Sequence, residues 1–429
     1  MSDDYLESRI PEPTASLLRR ARAITPSGSQ TLSKAYFAQP WGCPEVPLFI
    51  EKADGAWVED VQGRRYLDYP MALGPIILGH NNPKVTEAIV AQLSKGILFS
   101  LPSPLEIAVA EKIVAAVPSA EMVKFLKTGS EACSAAVRLA RAVTNRPLVA
   151  VGGFHGWHDF YAGLTRRSGG VPEAVRDLTL RFDFNDASSL ETLLERHRER
   201  VAAILLEPAT AEAPANGFLQ EVRRLADEHG ALLVFDEVVT GLRWSKGGAQ
   251  EYYGVTPDLT VLGKALGNGM PIAAVTGPAD LMRKFDELFV SGTYGGECLS
   301  LAAAQAVLRV LEDEPVVEYI WSQGRRLRES FSEAVHRHGL QELVDVTGEP
   351  PRVVLSFKED AVAKSIVGQE LAKREVLFNG SFFVSYAHTD NDIELTIAAV
   401  DEALGVLAEA VASGDPGSYL EGAVGQPVL

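Results

Sequence analysis

Two apolar runs in this 429-residue chain end on residues that do chemistry. Ala231-Leu232-Leu233-Val234-Phe235 leads into Asp236-Glu237-Val238, and Leu259-Thr260-Val261-Leu262 leads into Gly263-Lys264. The aspartate and the lysine lie 28 residues apart, and Gly267 and Gly269 follow, where the chain must pass close to something. A lysine amine that condenses with an aldehyde, and a carboxylate that pairs with a pyridinium nitrogen, are what pyridoxal 5′-phosphate (PLP) chemistry asks of a protein. Opposite charges about 4 Å apart attract by roughly 4 kcal/mol at an effective dielectric of 20, enough to keep a pyridine nitrogen protonated at neutral pH.

Other apolar runs end on suitable groups as well. Val123–Leu126 is followed by Lys127-Thr128-Gly129-Ser130-Glu131-Ala132, a capped helix start whose free N–H groups suit a phosphate. Leu148–Val151 is followed by Gly152-Gly153-Phe154-His155-Gly156-Trp157-His158, where an aromatic ring between glycines is placed to lie on a cofactor. His155 and His158 lack the i, i+4 spacing of a zinc pair and read as cofactor-side loop residues. Val201–Leu206 ends on Glu207, and Ser291-Gly292-Thr293-Tyr294-Gly295-Gly296 is a further loop of small residues with hydroxyls to hold a phosphate. Each item alone is ordinary. Five successive run ends with suitable groups are not.

The elements that must position these groups follow from periodicity. From about 80 to 280, short apolar strands (those above, with Ala273–Gly277) alternate with amphipathic helical stretches such as Glu131–Thr144 and Gly217–Glu228. That order implies an α/β unit with a parallel sheet buried on both faces, whose ligands bind beyond the carboxyl ends of the strands. Before it, residues 1–40 read as an arm with a short helix near Thr14–Ile24, and 48–70 as an antiparallel meander. After about 300, a helix at Leu301–Glu312 leads into a smaller α+β unit with strands at Arg352–Phe357, Val376–Leu377 and Phe382–Ser385. The expected division is 1–75 for the arm and part of a small domain, 76–300 for the large PLP-binding domain, and 301–429 for the rest of the small domain. The last fifteen residues, rich in Gly and Pro, are expected to fray.

Composition narrows the function. A formal charge of −17 argues against nucleic acid and anionic membranes, and no apolar run reaches the length of a membrane helix. The acidic start is unlike a signal peptide, which points to the cytoplasm. Cys43, Cys133 and Cys298 are too few and scattered for a disulfide frame and read as core or interface residues; no Cys/His cluster has metal-ligand spacing, so no metal is expected.

Over about residues 25–410 the chain resembles the class III (subgroup II) aminotransferases, in the glutamate-1-semialdehyde aminomutase-like branch. The stretches that carry this include Gly79-His80-Asn81-Asn82-Pro83, Thr128-Gly129-Ser130-Glu131-Ala132, Phe235-Asp236-Glu237-Val238, Thr256-Pro257-Asp258-Leu259 and Leu262-Gly263-Lys264. The resemblance implies the type I PLP-dependent transferase fold, with a large, mainly parallel sheet domain and a small domain from both termini. It implies a homodimer with shared active sites. Lys264 looks like the Schiff-base lysine and Asp236 like the pyridinium partner. Val238 and Phe154 would sandwich the ring, Glu207 would sit near the ring oxygen and the lysine, and His155 would lie on the cofactor side. Gly129 and Ser130 would hold the phosphate, with Thr293 donated by the neighbouring subunit.

The substrate side departs from that pattern. Where the aminomutases carry an arginine for the substrate carboxylate, this chain has Lys34, which lacks the bidentate fork. A Gly-Ser-Trp-Gly-Pro stretch is here Met71-Ala72-Leu73-Gly74-Pro75, and a substrate-side glutamate is missing near Asn379–Phe382. The expected activity is transfer of an amino group from an amino acid, L-glutamate, to an oxo-sugar or related carbonyl such as a 6′-oxo aminoglycoside. Lys34, Leu73 and Trp157 would meet that acceptor. The alternative is an aminomutase or epimerase working within one substrate. A non-catalytic scaffold is disfavoured by the presence of both Lys264 and Asp236.

Overall fold

A computed structural model describes residues 3–358 and 360–427. The chain forms two compact units. The smaller comprises Met1–Leu73, Leu78–Asn81 and Glu318–Leu429, and the larger Gly74–Ile77 and Asn82–Val317. The expected boundary at 300 falls inside helix Cys298–Asp313, which lies in the larger unit.

The smaller unit opens with helices Asp3–Ser8 and Thr14–Ile24 and the meander β1 (Ile50–Asp54), β2 (Trp57–Asp60) and β3 (Arg65–Asp68), paired antiparallel in that order. In the larger unit, β4 (Met122–Leu126), β5 (Leu148–Gly152), β6 (Thr179–Arg181), β7 (Val201–Leu206), β8 (Leu232–Glu237), β9 (Leu259–Leu262) and β10 (Ala273–Gly277) form one sheet in the order β4-β10-β9-β8-β7-β5-β6. The smaller unit is completed by β11 (Asp345–Thr347), β12 (Arg352–Ser356), β13 (Val376–Leu377) and β14 (Ser381–Phe383). Of these, β13 joins β3 in parallel, and β11-β12-β14 make a separate sheet.

Every residue of β5, β7, β9 and β10 is buried, as a sheet covered on both faces requires. One face packs on Ala132, Ala136, Val137, Leu139 and Ala140 of helix Gly129–Thr144. Small side chains there let the helix lie close to the strands. The other face packs on Phe218, Leu219, Val222, Leu225 and Ala226, the apolar stripe of helix Phe218–His229.

Two expectations are corrected and one strand is added. Strand β10 runs antiparallel to both β4 and β9. The connection from β9 holds only the 3-10 turn Lys264–Gly267, too little for the crossover that a parallel neighbour needs. Strand β6, which has no distinctive apolar run, extends the sheet beyond β5. Through Gln426 the C-terminal segment does not fray: the N–H groups of Glu421, Ala423, Gly425 and Gln426 bond to Gln369, Trp41, Ser365 and Phe37 within the smaller unit, and Val428 and Leu429 lie outside the described residues. Beyond the 3-10 turn Pro416–Tyr419 its described backbone is in no helix or strand and is free to find such partners.

Candidate active site

Strands β5, β7, β8 and β9 are mutually parallel, and β4 shares their direction because both β4 and β9 oppose β10. Their carboxyl ends therefore share one edge of the larger unit's sheet, where ligands bind in such folds. This edge gathers Gly129, Ser130, Phe154, His155, Trp157, Glu207, Asp236, Val238 and Lys264.

At its centre Asp236 is 4% exposed. A buried carboxylate needs donors or a cation to offset lost hydration. Oδ1 accepts the Val238 N–H at 3.1 Å, and Oδ2 lies 2.8 Å from His155 Nδ1, which donates to it, and 3.2 Å from the Cys133 thiol. His155 is buried, and its Nε2 has no hydrogen-bond partner among the described residues. Beside it, Glu207 Oε2 accepts the Phe154 N–H at 2.9 Å, which fixes the start of the loop that carries Phe154, His155 and Trp157. The Phe154 ring meets Tyr161 edge-on, and the residue remains 47% exposed, which leaves a ring face for stacking.

Helix Gly129–Thr144 starts with a reciprocal cap. Thr128 accepts the Glu131 N–H, while the Glu131 carboxylate takes the amides of Thr128 and Lys127. Among the described residues the amides of Gly129 and Ser130 make no hydrogen bond, so they and the positive end of the helix dipole are available to an anion. The loop after β5 passes directly over this helix start. A Cβ on Gly156, whose φ is +91°, would lie 2.2 Å from Ser130 Oγ, so only glycine fits there. Two hydrogen bonds fasten the same loop, from the Trp157 N–H to Ser130 Oγ and between Ser134 Oγ and His158 Nδ1. Val238 fills the space on the other side: a Cβ on Gly129 would stand 3.0 Å from Val238 Cγ2, and one on Gly263 3.4 Å from Cγ1.

Lys264 follows the extended Gly263 and holds a left-handed φ of +39°. Strain of this kind costs on the order of 1–3 kcal/mol and persists where surrounding structure enforces it. Lys264 lies close enough to Cys133 for its charge to act on the thiol.

The remaining sequence-derived residues lie elsewhere. Thr293 is exposed in its loop and makes no hydrogen bond among the described residues. Lys34 and Leu73 belong to the smaller unit, where they line one cavity of about 470 Å³ with Asp68, His80 and Asn379. Met71, Ala72 and Leu73 are three successive left-handed residues, held by bonds from the Met71 N–H to Asp68 Oδ1 and from the Leu73 N–H to the Pro70 carbonyl. Cys133 is the site residue that the sequence reading left in the core. Its place four residues after Gly129, on the same helix face, was the available signal.

One sheet edge thus carries a buried carboxylate, a helix start with unbonded amides, an exposed aromatic face and a lysine. The chain belongs to the class III aminotransferase family, whose sequence model matches residues 39–388. It is a PLP-dependent enzyme of the type I transferase fold, and the groups present fit PLP. A glutamate-1-semialdehyde 2,1-aminomutase of Syntrophobacter fumaroxidans is 38% identical over 391 residues, covering 83% of this chain and 90% of that protein. The FumI protein of Sphingopyxis sp. MTA144, solved with PLP, superposes with a TM-score of 0.88 at 29% identity, covering 96% of this chain and 100% of its own. An omega-transaminase from Sphaerobacter thermophilus gives 0.84 at 29% identity, covering 94% and 99%. Among the described residues no helix is long and apolar enough to cross a membrane.

Proposed function

We propose that this enzyme moves an amino group from an amino acid donor, L-glutamate, to an oxo-sugar or related carbonyl acceptor, a 6′-oxo aminoglycoside among them. PLP, when bound, supplies an electron sink that makes removal of a proton from the substrate carbon feasible. Asp236 holds the proton on the ring nitrogen, and the donors on both its oxygens fix it in direction. Lys264 Nζ takes the proton from the donor's carbon and returns it at the acceptor's. The free amides of Gly129 and Ser130 bind the phosphate, with Thr293 added from a second subunit. Phe154 and Val238 flank the ring, and Glu207 acts at its oxygen side.

The observation that carries the choice of acceptor is Lys34. It stands where the resembling aminomutases have their carboxylate-binding arginine, and it is the one Lys or Arg among the described residues lining its cavity. Ser29, Ser33, Gln39 and Asn379 line the same cavity and suit hydroxyls better than a carboxylate. Leu73 and the exposed Trp157 are further acceptor contacts in this reading. The identity with the Syntrophobacter aminomutase favours a second reading, movement of the amine within one substrate.

Excess L-glutamate without acceptor separates the two. In the proposed reading the cofactor's absorption converts to its amine form, with one equivalent of 2-oxoglutarate released per site. A spectrum unchanged by any amino acid donor would instead support the intramolecular reaction.

A further inference from the structure

Cys133 is 1% exposed, and its sulfur lies 3.2 Å from Asp236 Oδ2, the oxygen that His155 also approaches. We propose that Cys133 is a positioning residue whose S–H bond to Oδ2 sets how much negative charge Asp236 presents to the PLP ring nitrogen. The inference rests on the reading of Asp236 as the partner of that nitrogen.

Three observations support it. Burial, with the Asp236 carboxylate beside it, pushes the Cys133 thiol well above its ordinary range, so it stays a protonated donor and not a nucleophile. Asp236 has donors on both oxygens, Val238 N–H on one and His155 and Cys133 on the other, so any change at Cys133 is felt by the acceptor capacity that remains. Cys133 also sits four residues from Gly129, so one helix face carries both the amide that would hold the phosphate and the contact to Asp236.

A hydrogen bond to a carboxylate draws charge from it and weakens its attraction for a cation elsewhere. A thiol is a weak donor, a hydroxyl is a stronger one and a methyl is none. Cys133→Ser therefore weakens the attraction to the ring nitrogen and Cys133→Ala strengthens it. Both substitutions remove volume, so loss of packing would act on both in the same direction. That opposition separates charge tuning from space filling.

The test compares the affinity of the apo protein for PLP with that for 1-deaza-PLP, which carries C–H in place of the ring nitrogen. The dissociation constant for 1-deaza-PLP divided by that for PLP isolates the nitrogen's contribution. We expect Cys133→Ala to raise this ratio and Cys133→Ser to lower it, each by about two- to tenfold. Cys133→Thr, of similar bulk and with a hydroxyl donor, should follow Ser and serves if the serine variant does not fold. Asp236→Asn should bring the ratio toward unity. If Asp236→Asn leaves the ratio at its wild-type value, the reading of Asp236 fails and the inference with it. If that control collapses the ratio while the Cys133 variants leave it unmoved, or move it in one common direction, the inference alone is overturned.

Discussion

Lys264 and Asp236 were legible in the sequence because each is a rare residue type at the end of an apolar run. Lysine and aspartate are costly beside a buried strand unless something there uses them. Asp236 is buried, and its donors approach from three separate segments. For Lys264 the expected outcome is specific. Lys264→Ala should slow the donor half-reaction by at least about 10²–10⁴-fold, the range for loss of a positioned acid–base group, with PLP still bound through the helix start. Small primary amines added to the solution should restore part of the rate. A variant that converts L-glutamate at the wild-type rate would remove Lys264 from the chemistry. Cys133 was not legible, since its partner lies 103 positions away and nothing in a lone cysteine announces a carboxylate.

At the scale of elements, the helix start and the loop after β5 act as one piece. Reciprocal capping by Thr128 and Glu131 sets where the helix begins, and Gly156 allows the loop to cross it. Gly156→Ala must move the loop or the helix, because the added Cβ meets Ser130 Oγ, Cβ and Cα and the backbone is left-handed. With strain of about 1–3 kcal/mol, PLP affinity should fall by roughly 5- to 150-fold, measured by equilibrium titration of the apo protein. Binding as tight as wild type would show that the crossing does not shape the phosphate site. Strand and helix positions were largely readable here, as at β7, β9 and β10, because period and run length report local burial. Strand direction was readable in part: the short link from β9 to β10 excludes a parallel return, a constraint that the simple alternation of strands and helices hid.

For the whole molecule, the larger unit keeps apolar side chains in water, among them Val90 at 60%, Leu101 at 79% and Ile107 at 64% exposed. Strand β4 is an edge strand, and a groove of about 800 Å³ lined by Ile107, Val114, Met122 and Phe125 runs beside it. Edges and apolar patches of this kind mark surfaces meant for a partner. Class III aminotransferases are generally dimeric, and Thr293 lies exposed in the loop bordering the same groove. We expect a homodimer, seen as twice the chain mass by light scattering. Ile107→Glu with Leu101→Glu should shift it toward monomer and loosen PLP as the partner's contribution is lost. A wild-type monomer that binds PLP tightly would refute the shared site.

What could be read without the structure is what depends on near neighbours: the apolar strands, the capped helix, the reactive residues at strand ends and the family that these motifs resemble. Each reports a preference that a short segment expresses by itself. What required the folded chain is every relation between distant segments. Sheet order brings Asp236, His155 and Cys133 within hydrogen-bonding distance, adds β6 beyond β5, turns β10 against its neighbours and docks the C-terminal segment in the smaller unit. Such contacts arise from close packing and from satisfying buried backbone groups across the whole unit, which no local window of residues encodes.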